Sequence, residues 1–214
     1  MRVADARRAV ALAAALLAMA QLEASAAGRL KVLHATGRVE VRSAGGGPWK
    51  PLAKGDPVIL PAMVRTAPGA EAIVLMDWRL RAAVRLPSGS QVRLETPVDL
   101  VLESGQAWVL VDEPLTNHPE MRVRSGRMAL RAPVGSFVVR DPKAPSVEVY
   151  NDTATVSLSG GSSTEVPEGY RLDASGQVRR LQYADYSAWR EYANAYTRLK
   201  DDWAVRQLEE EYSS

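Results

Sequence analysis

The sequence predicts a mainly β protein, an antiparallel sandwich or roll of many short strands, followed by a C-terminal amphipathic aromatic helix. Apolar and polar residues alternate with period two from Leu30 to about Leu181, for example in residues 39–42 and 147–149. This period places one face of each strand on a core and the other in water. Short segments with Gly and Pro interrupt the alternation, which is typical of all-β domains. No Gly or Pro occurs after Gly176, and the apolar period then becomes that of a helix.

Residues 1–26 have the three parts of a secretory signal peptide. An n-region with three arginines precedes a twelve-residue apolar run, and residues 24–26 form a small-x-small site for signal peptidase. As a helix the run rises about 18 Å, less than the roughly 30 Å of a hydrocarbon core. Cleavage after Ala26 predicts a periplasmic or secreted protein. A retained N-terminal anchor and an Ala-rich soluble helix are the alternatives. No other segment is apolar enough to span a membrane, so no span is expected after cleavage.

The composition excludes several classes of chemistry. The 214 residues include no cysteine, which rules out a disulfide scaffold, a thiol nucleophile, Cys-ligated zinc, iron–sulfur clusters and a lipid-modified N-terminal cysteine. The formal net charge is only +2, so a nucleic-acid partner is not indicated. This small value conceals two segments of opposite sign. Residues 27–180 carry twenty basic and sixteen acidic side chains, whereas residues 181–214 carry four and seven.

Residues 27–181 form the predicted β domain. Residues 70–80 could be a helix or a strand, and we predict a strand because the β-prone Ile73, Val74 and Leu75 follow a Pro-Gly turn. Glycines at the turn signals are predicted to be structural. These are Gly37, Gly55, Gly89, Gly105, Gly135 and Gly169.

Residues 182–214 form the predicted helical segment. Asp185 is the expected N-cap, with Ser187 as the competing residue. Two roles stay open for the aromatic face of this helix: covering the open end of the β domain, or filling a groove in a partner protein. The candidate docking residues recur at steps of three, four or seven. They are Tyr186, Trp189, Tyr192, Tyr196 and Trp203.

Several motifs of the β region occur in an order that resembles the FecR domain, named for the ferric-citrate regulator. The first motifs are residues 37–41 (GRVEV), a Gly-Asp pair at residues 55–56 and a strand–Gly/Ser–strand element at residues 86–94. Farther on, residues 134–139 (VGSFVV) and 147–151 (VEVYN) are similar to later strands of the family. The resemblance covers roughly residues 35–180.

The chain also departs from the family pattern. Gly135-Ser136-Phe137 is one residue short, and Asn151-Asp152 stands where the family usually has a glycine, although Asn or Asp can adopt the same left-handed turn. The resemblance implies an envelope-exposed β domain without catalysis. The best-known members add a cytoplasmic sigma-factor-binding segment and a membrane-spanning helix. This chain looks like the shorter exported type, without the cytoplasmic segment.

The residues do not form a catalytic motif. His34 lies in the first predicted strand and His118 in a loop, and no G-x-S-x-G elbow accompanies them. His118 shares its loop with acidic residues, so weak divalent-cation binding is the alternative to a solvated loop. We therefore expect no catalytic residue, no metal ligand and no cofactor. A glycosidase stays open because its carboxylate pair is set by distance in the fold.

Arginines follow the polar faces of several predicted strands. If these strands are neighbours, the guanidinium groups would form a ladder suited to anionic glycans or lipid head groups. The alternative is a solvated strand face that acidic neighbours such as Glu95 offset. The candidate residues are Arg79, Arg81, Arg85, Arg93, Arg122 and Arg124, with Arg127 nearby.

Together these features predict an exported, non-catalytic FecR-like binding or scaffold module of the bacterial cell envelope. Its expected partner is an envelope protein or an anionic envelope polymer. The first alternative is an envelope signal regulator that acts with a separate transmembrane partner. The second is an enzyme that acts on cell-wall glycan. The ligand and the oligomeric state stay open.

Overall fold

The computed structural model describes residues 29–76, 81–113, 120–159, 161 and 163–212, with side chains from Leu30 to Asp202 within these ranges. The predicted signal segment 1–26, Arg79, the His118 loop and the side chain of Trp203 lie outside the described residues. Among the described residues no helix is long and apolar enough to cross a membrane.

The described chain forms eighteen strands and then one helix. The elements are β1 (Arg29–Thr36), β2 (Val39–Ser43), β3 (Lys50–Pro51), β4 (Pro57–Ile59), β5 (Ala62–Thr66), β6 (Glu71–Leu75), β7 (Ala82–Leu86), β8 (Gln91–Thr96), β9 (Asp99–Ser104), β10 (Gln106–Val111), β11 (Met121–Ser125), β12 (Met128–Ala132), β13 (Gly135–Arg140), β14 (Ser146–Asn151), β15 (Thr153–Leu158), β16 (Ser163–Pro167), β17 (Tyr170–Leu172), β18 (Val178–Arg180) and α1 (Tyr183–Tyr212). The predicted mainly β fold with a C-terminal aromatic helix is confirmed.

The strands build two sheets, and the chain passes repeatedly between them. Sheet A has the order β18-β17-β14-β13-β10-β7-β6-β1-β4, and sheet B has the order β16-β15-β12-β11-β9-β8-β5-β2-β3. Neighbouring strands are antiparallel throughout sheet A. In sheet B the pair β9 and β11 is parallel, and the other pairs are antiparallel.

The period-two alternation has the expected structural result. In β8, Val92 and Leu94 are buried between the sheets, whereas Arg93 between them lies on the outer face of sheet B. β6 is a buried strand that pairs with β1 and β7, which agrees with the strand predicted within residues 70–80. A second apolar cluster lies on the outer face of sheet A, where α1 covers it. The described molecule therefore has three layers: helix, sheet A and sheet B.

The six glycines predicted as turn positions all have positive φ angles, from +67° at Gly37 to +122° at Gly135. Asp152, at the position where the resembled family usually has glycine, has a φ of +63°. Gly105 combines this backbone with a close approach. A Cβ atom there would lie 2.7 Å from the carbonyl oxygen of Gly89 and 2.8 Å from Cα of Ser90.

Gly105→Ala is expected to destabilise the protein by about 1–3 kcal/mol more than Gly55→Ala. Both substitutions place a side chain in the left-handed region, but a Cβ at Gly55 would meet nothing within 4 Å. Chemical denaturation of the two variants measures the difference. Equal losses would show that the turn between β9 and β10 can shift to relieve the contact.

The helix begins two residues before the predicted cap. α1 starts at Tyr183, and the backbone N–H of Gln182 donates to Oδ2 of Asp185 over 2.9 Å. The prediction that Asp185 is the N-cap is therefore wrong. Asp185 is the third helical residue, and its carboxylate accepts a hydrogen bond from the backbone N–H of the residue that precedes the helix. The N–H of Leu181 donates to the carbonyl of Gly169 over 2.8 Å and fixes the helix entry against β17.

Candidate functional site

The aromatic face of α1 packs on the outer face of sheet A. Tyr192 and Tyr196 are buried there, and Tyr186 and Trp189 pack against the same cluster at intermediate exposure. At the far end of the contact, Nζ of Lys200 lies 2.8 Å from Oδ2 of Asp112. Four of the five predicted docking residues thus contact the protein's own β domain, and Trp203 lies beyond the described side chains.

Two aromatic residues of sheet A organise this interface. Tyr150 of β14 stacks parallel to Trp189, with ring centroids 5.7 Å apart, and meets Tyr186 edge-on at 5.6 Å. Trp108 of β10 stacks with Tyr150 at 6.5 Å and meets Tyr192 edge-on at 5.5 Å. These offset and edge-to-face geometries are the favourable arrangements of aromatic pairs. Trp108 and Tyr150 are not among the docking residues that the sequence predicts.

Arg85 of β7 lies inside this aromatic layer. Its guanidinium carbon is 5.2 Å from the ring centre of Trp108 and 5.4 Å from that of Tyr192. Its Nη2 is also 2.6 Å from Oε2 of Glu71. Cation–π contacts and an ion pair account for this charge within the protein. Arg85 therefore supports the docked helix rather than an anion-binding surface.

Several donors in the interface are buried without a hydrogen-bond partner among the described residues. They are Nε of Arg85, Nε1 of Trp108, Nε1 of Trp189 and the hydroxyl of Tyr192. An unpaired buried polar group costs about 1–3 kcal/mol. The apolar and aromatic contacts of the helix are therefore partly offset by desolvated donors. Burial is also the main cause that raises the pKa of the Tyr192 hydroxyl above its usual range.

Tyr192→Phe is expected to leave stability unchanged or to raise it by up to about 1 kcal/mol, because it removes an unpaired hydroxyl while keeping the ring. Tyr150→Phe is the matched comparison. The Tyr150 hydroxyl donates to Glu148 over 2.9 Å, so its loss should cost about 1–2 kcal/mol. Urea denaturation of both variants tests the contrast. If Tyr192→Phe lowered the free energy of unfolding as much as Tyr150→Phe, the Tyr192 hydroxyl would have a hydrogen-bond partner after all.

Glu148 of β14 is a buried carboxylate held by several donors. Its side chain is 2% exposed, and its two oxygens accept from Nε and Nη2 of Arg140 over 2.9 and 3.0 Å. Nη1 of Arg171 lies 3.7 Å from Oε1 of Glu148. Burial tends to lower the pKa of Arg140, but its hydrogen bonds and charge contact with Glu148 raise it above the usual range. Burial and then the Glu148 charge raise the pKa of Tyr150. The network is a structural ion pair beneath the helix entry.

The arginines predicted as one ladder are divided between the two sheets. Arg85 is in β7 of sheet A, and Arg81 directly precedes that strand. Arg93, Arg122 and Arg124 lie on the outer face of sheet B, in β8 and β11. The ladder expected from the sequence therefore reduces to the sheet B residues, because β7 and β8 follow each other in sequence but belong to opposite sheets.

Acidic neighbours pair with the arginines of sheet B. Arg93 lies 2.9 Å from Glu95 and 3.0 Å from Glu103, and Arg122 lies 2.7 Å from Asp99. Arg124 also pairs with Glu95. Exposed pairs of this kind are weak, so an external anion could still compete for them. Arg131 of β12 lies directly opposite Arg122 and was not among the predicted residues.

His34, the histidine among the described residues, is not part of a metal-binding cluster. His34 lies in β1 opposite Ile73 of β6. No group of three His, Cys, Asp or Glu residues that could hold a metal ion occurs among the described residues.

Among known proteins, two solved structures have a fold similar to part of this chain. Two crystal structures of a "putative anti-sigma factor" from Parabacteroides distasonis ATCC 8503, at 1.65 and 2.50 Å resolution, are similar to this chain. Each match has a TM-score of 0.50 and 16% sequence identity, and covers 59% of this chain and 63% of that chain. The matched part is thus less than two thirds of the neighbour's length. No family model and no curated protein matches the sequence.

Proposed function

We propose that the protein is an exported, non-catalytic FecR-like binding or scaffold module of the bacterial cell envelope. The observation that carries the proposal is the two-sheet fold, which over 59% of the chain is similar to that of the Parabacteroides neighbours. The FecR-like motifs of the sequence lie in the same β region. A sandwich whose helix covers one sheet leaves the outer face of sheet B as its broad polar surface. An envelope protein or an anionic polymer is the partner that this surface would meet.

Fractionation of cells that produce the tagged full-length chain tests the exported location. The expected result is a protein shortened by about 26 residues in the periplasmic fraction or the medium, consistent with a cleaved signal peptide. An unprocessed protein in the cytoplasm would overturn the proposal. A variant with an arginine in the middle of the apolar run at residues 9–20 is the control and should stay unprocessed.

Site-specific photo-crosslinking tests whether sheet B contacts a partner. A crosslinker at Arg131, which is exposed on sheet B, should capture an envelope component. The same group at Tyr183, which is 83% exposed on α1, reports the alternative surface. Capture at Arg131 supports a sheet B partner. Capture only at Tyr183 would move the interaction to the helix, and no capture at either position would contradict a binding module.

An envelope signal regulator is the second candidate, and the named class of the structural neighbours favours it. This function requires a separate transmembrane partner. Because Trp189 and Tyr196 contact sheet A, such a partner would use other surfaces or would have to displace the helix. A membrane-spanning protein among the crosslinked products, together with a transcriptional change when it is deleted, would support regulation. Capture of wall polymer alone would favour the scaffold.

A further inference from the structure

A cavity of about 490 Å³ opens where the free edges of the two sheets meet. β4 is the last strand of sheet A at this end, and β3 is the last strand of sheet B. The cavity is lined by parts of β2, β3 and β4 and by the segments that join them. Its size is within the range of small-molecule sites in proteins.

Prolines in the two edge strands at this cavity disfavour the pairing of an additional strand. Pro51 lies in β3 and Pro57 in β4, and neither can donate a backbone hydrogen bond to an added strand. Pro48 and Pro61 also belong to the region, and both line the cavity. The occupant is therefore a molecule that enters the cavity, because the edges themselves offer few donors to a peptide.

The cavity lining is apolar with a cationic component. Val41, Ile59 and Leu60 contribute apolar surface together with the prolines, and Ile59 is 64% exposed. Two lining residues are charged, Arg42 and Lys50, and both are basic. None of the lining residues is a carboxylate. The nearby Glu40 is bound by Arg38 at 2.8 Å and Arg65 at 2.7 Å, so its charge is already matched.

The two basic residues differ in their surroundings. The guanidinium of Arg42 lies 4.5 Å from the ring centre of Trp49, and its Nε is buried without a partner among the described residues. Lys50 is exposed, and the described residues give it no ion-pair partner. Lys50 is therefore the cation that can move onto an incoming anion, with Arg42 adding to the local positive potential.

We propose that this cavity binds a small amphiphilic anion, a carboxylate or phosphate monoester attached to a short apolar chain. The apolar chain would lie against Ile59, Leu60 and the prolines, and the anionic head would meet Lys50. This inference rests on the proposed role as a binding module and gives it a ligand class. It does not depend on the sheet B surface.

Isothermal titration calorimetry of the purified protein with octanoate, octyl phosphate and 1-octanol tests the ligand class. Octanoate or octyl phosphate should bind at one site, at least about tenfold more tightly than 1-octanol, because the charged head forms a charge-assisted contact. The stronger of the two anions identifies the preferred head group. Equal binding of octanol and octanoate, or no binding of either anion, would overturn the proposal.

Variants then locate the site. Lys50→Gln should weaken octanoate or octyl phosphate binding about tenfold, whereas Lys143→Gln, an equal charge change at an exposed turn, should not. Ile59→Glu should abolish binding by placing a negative charge at the cavity. Because the Ile59 side chain is 64% exposed, this substitution should leave the fold intact. Val178→Glu on the opposite edge of sheet A is its control. Unchanged affinity in Lys50→Gln and Ile59→Glu would contradict this site, while leaving the crosslinking result for the binding module intact.

Discussion

Replacing Glu148 with Gln is expected to destabilise the protein by about 3 kcal/mol. The substitution keeps the side-chain volume but removes the charge that Arg140 and Arg171 face. A buried cation that loses its partner is costly, typically about 3–5 kcal/mol. Arg140 is 34% exposed, so water screens part of its charge and the lower end of that range applies. Urea denaturation at neutral pH measures the loss.

Glu165→Gln is the matched control for this prediction. Glu165 is an exposed residue of β16, and its substitution changes the net charge by the same amount. Its cost should remain within about 0.5 kcal/mol. The double variant Arg140→Gln/Glu148→Gln should cost less than the two single changes combined, since neither charge is then left alone. Similar losses for Glu148→Gln and Glu165→Gln would show that the carboxylate is solvated.

The fold and the aromatic face of the helix follow from local sequence patterns, whereas the Glu148 network does not. Alternation in residues 147–149 correctly places Glu148 on the face opposite the inter-sheet core. From the local sequence alone, that face is predicted to be exposed to solvent. In the folded protein the Glu148 carboxylate is bound by Arg140 and Tyr150, and the ring of Tyr150 packs against α1, a helix that begins more than thirty residues later. Burial of an outer strand face therefore needs tertiary information.

The same limit explains the division of the arginines. Arg85 and Arg93 are eight residues apart and have similar local patterns, but one supports the helix on sheet A and the other lies on sheet B. Only long-range pairing decides this. The parallel pairing of β9 with β11 is an example, because β10 between them crosses to sheet A. Turn glycines, in contrast, have a local steric cause, and all six have positive φ angles.

Replacing Tyr192 with Ala is expected to destabilise the protein by about 3 kcal/mol and to release α1 from sheet A. Tyr192 is 2% exposed, and its ring contacts Trp108 and the guanidinium of Arg85. Removing the ring leaves a cavity at the centre of the interface and exposes a cation–π partner. The unpaired hydroxyl is lost as well, which keeps the expected cost at the lower end for an aromatic-to-alanine change.

Tyr183→Ala is the control for Tyr192→Ala. It makes the same change in helix propensity, but Tyr183 is 83% exposed on the same helix, so no buried contact is lost. Its expected cost is within about 0.5 kcal/mol. Hydrogen exchange then shows whether the helix opens separately from the sandwich. In Tyr192→Ala, amides of residues 186–199 should exchange faster, while amides of β13 in the centre of sheet A keep their protection. Equal loss of protection in α1 and β13 would instead mean that the helix and the sandwich unfold as one unit.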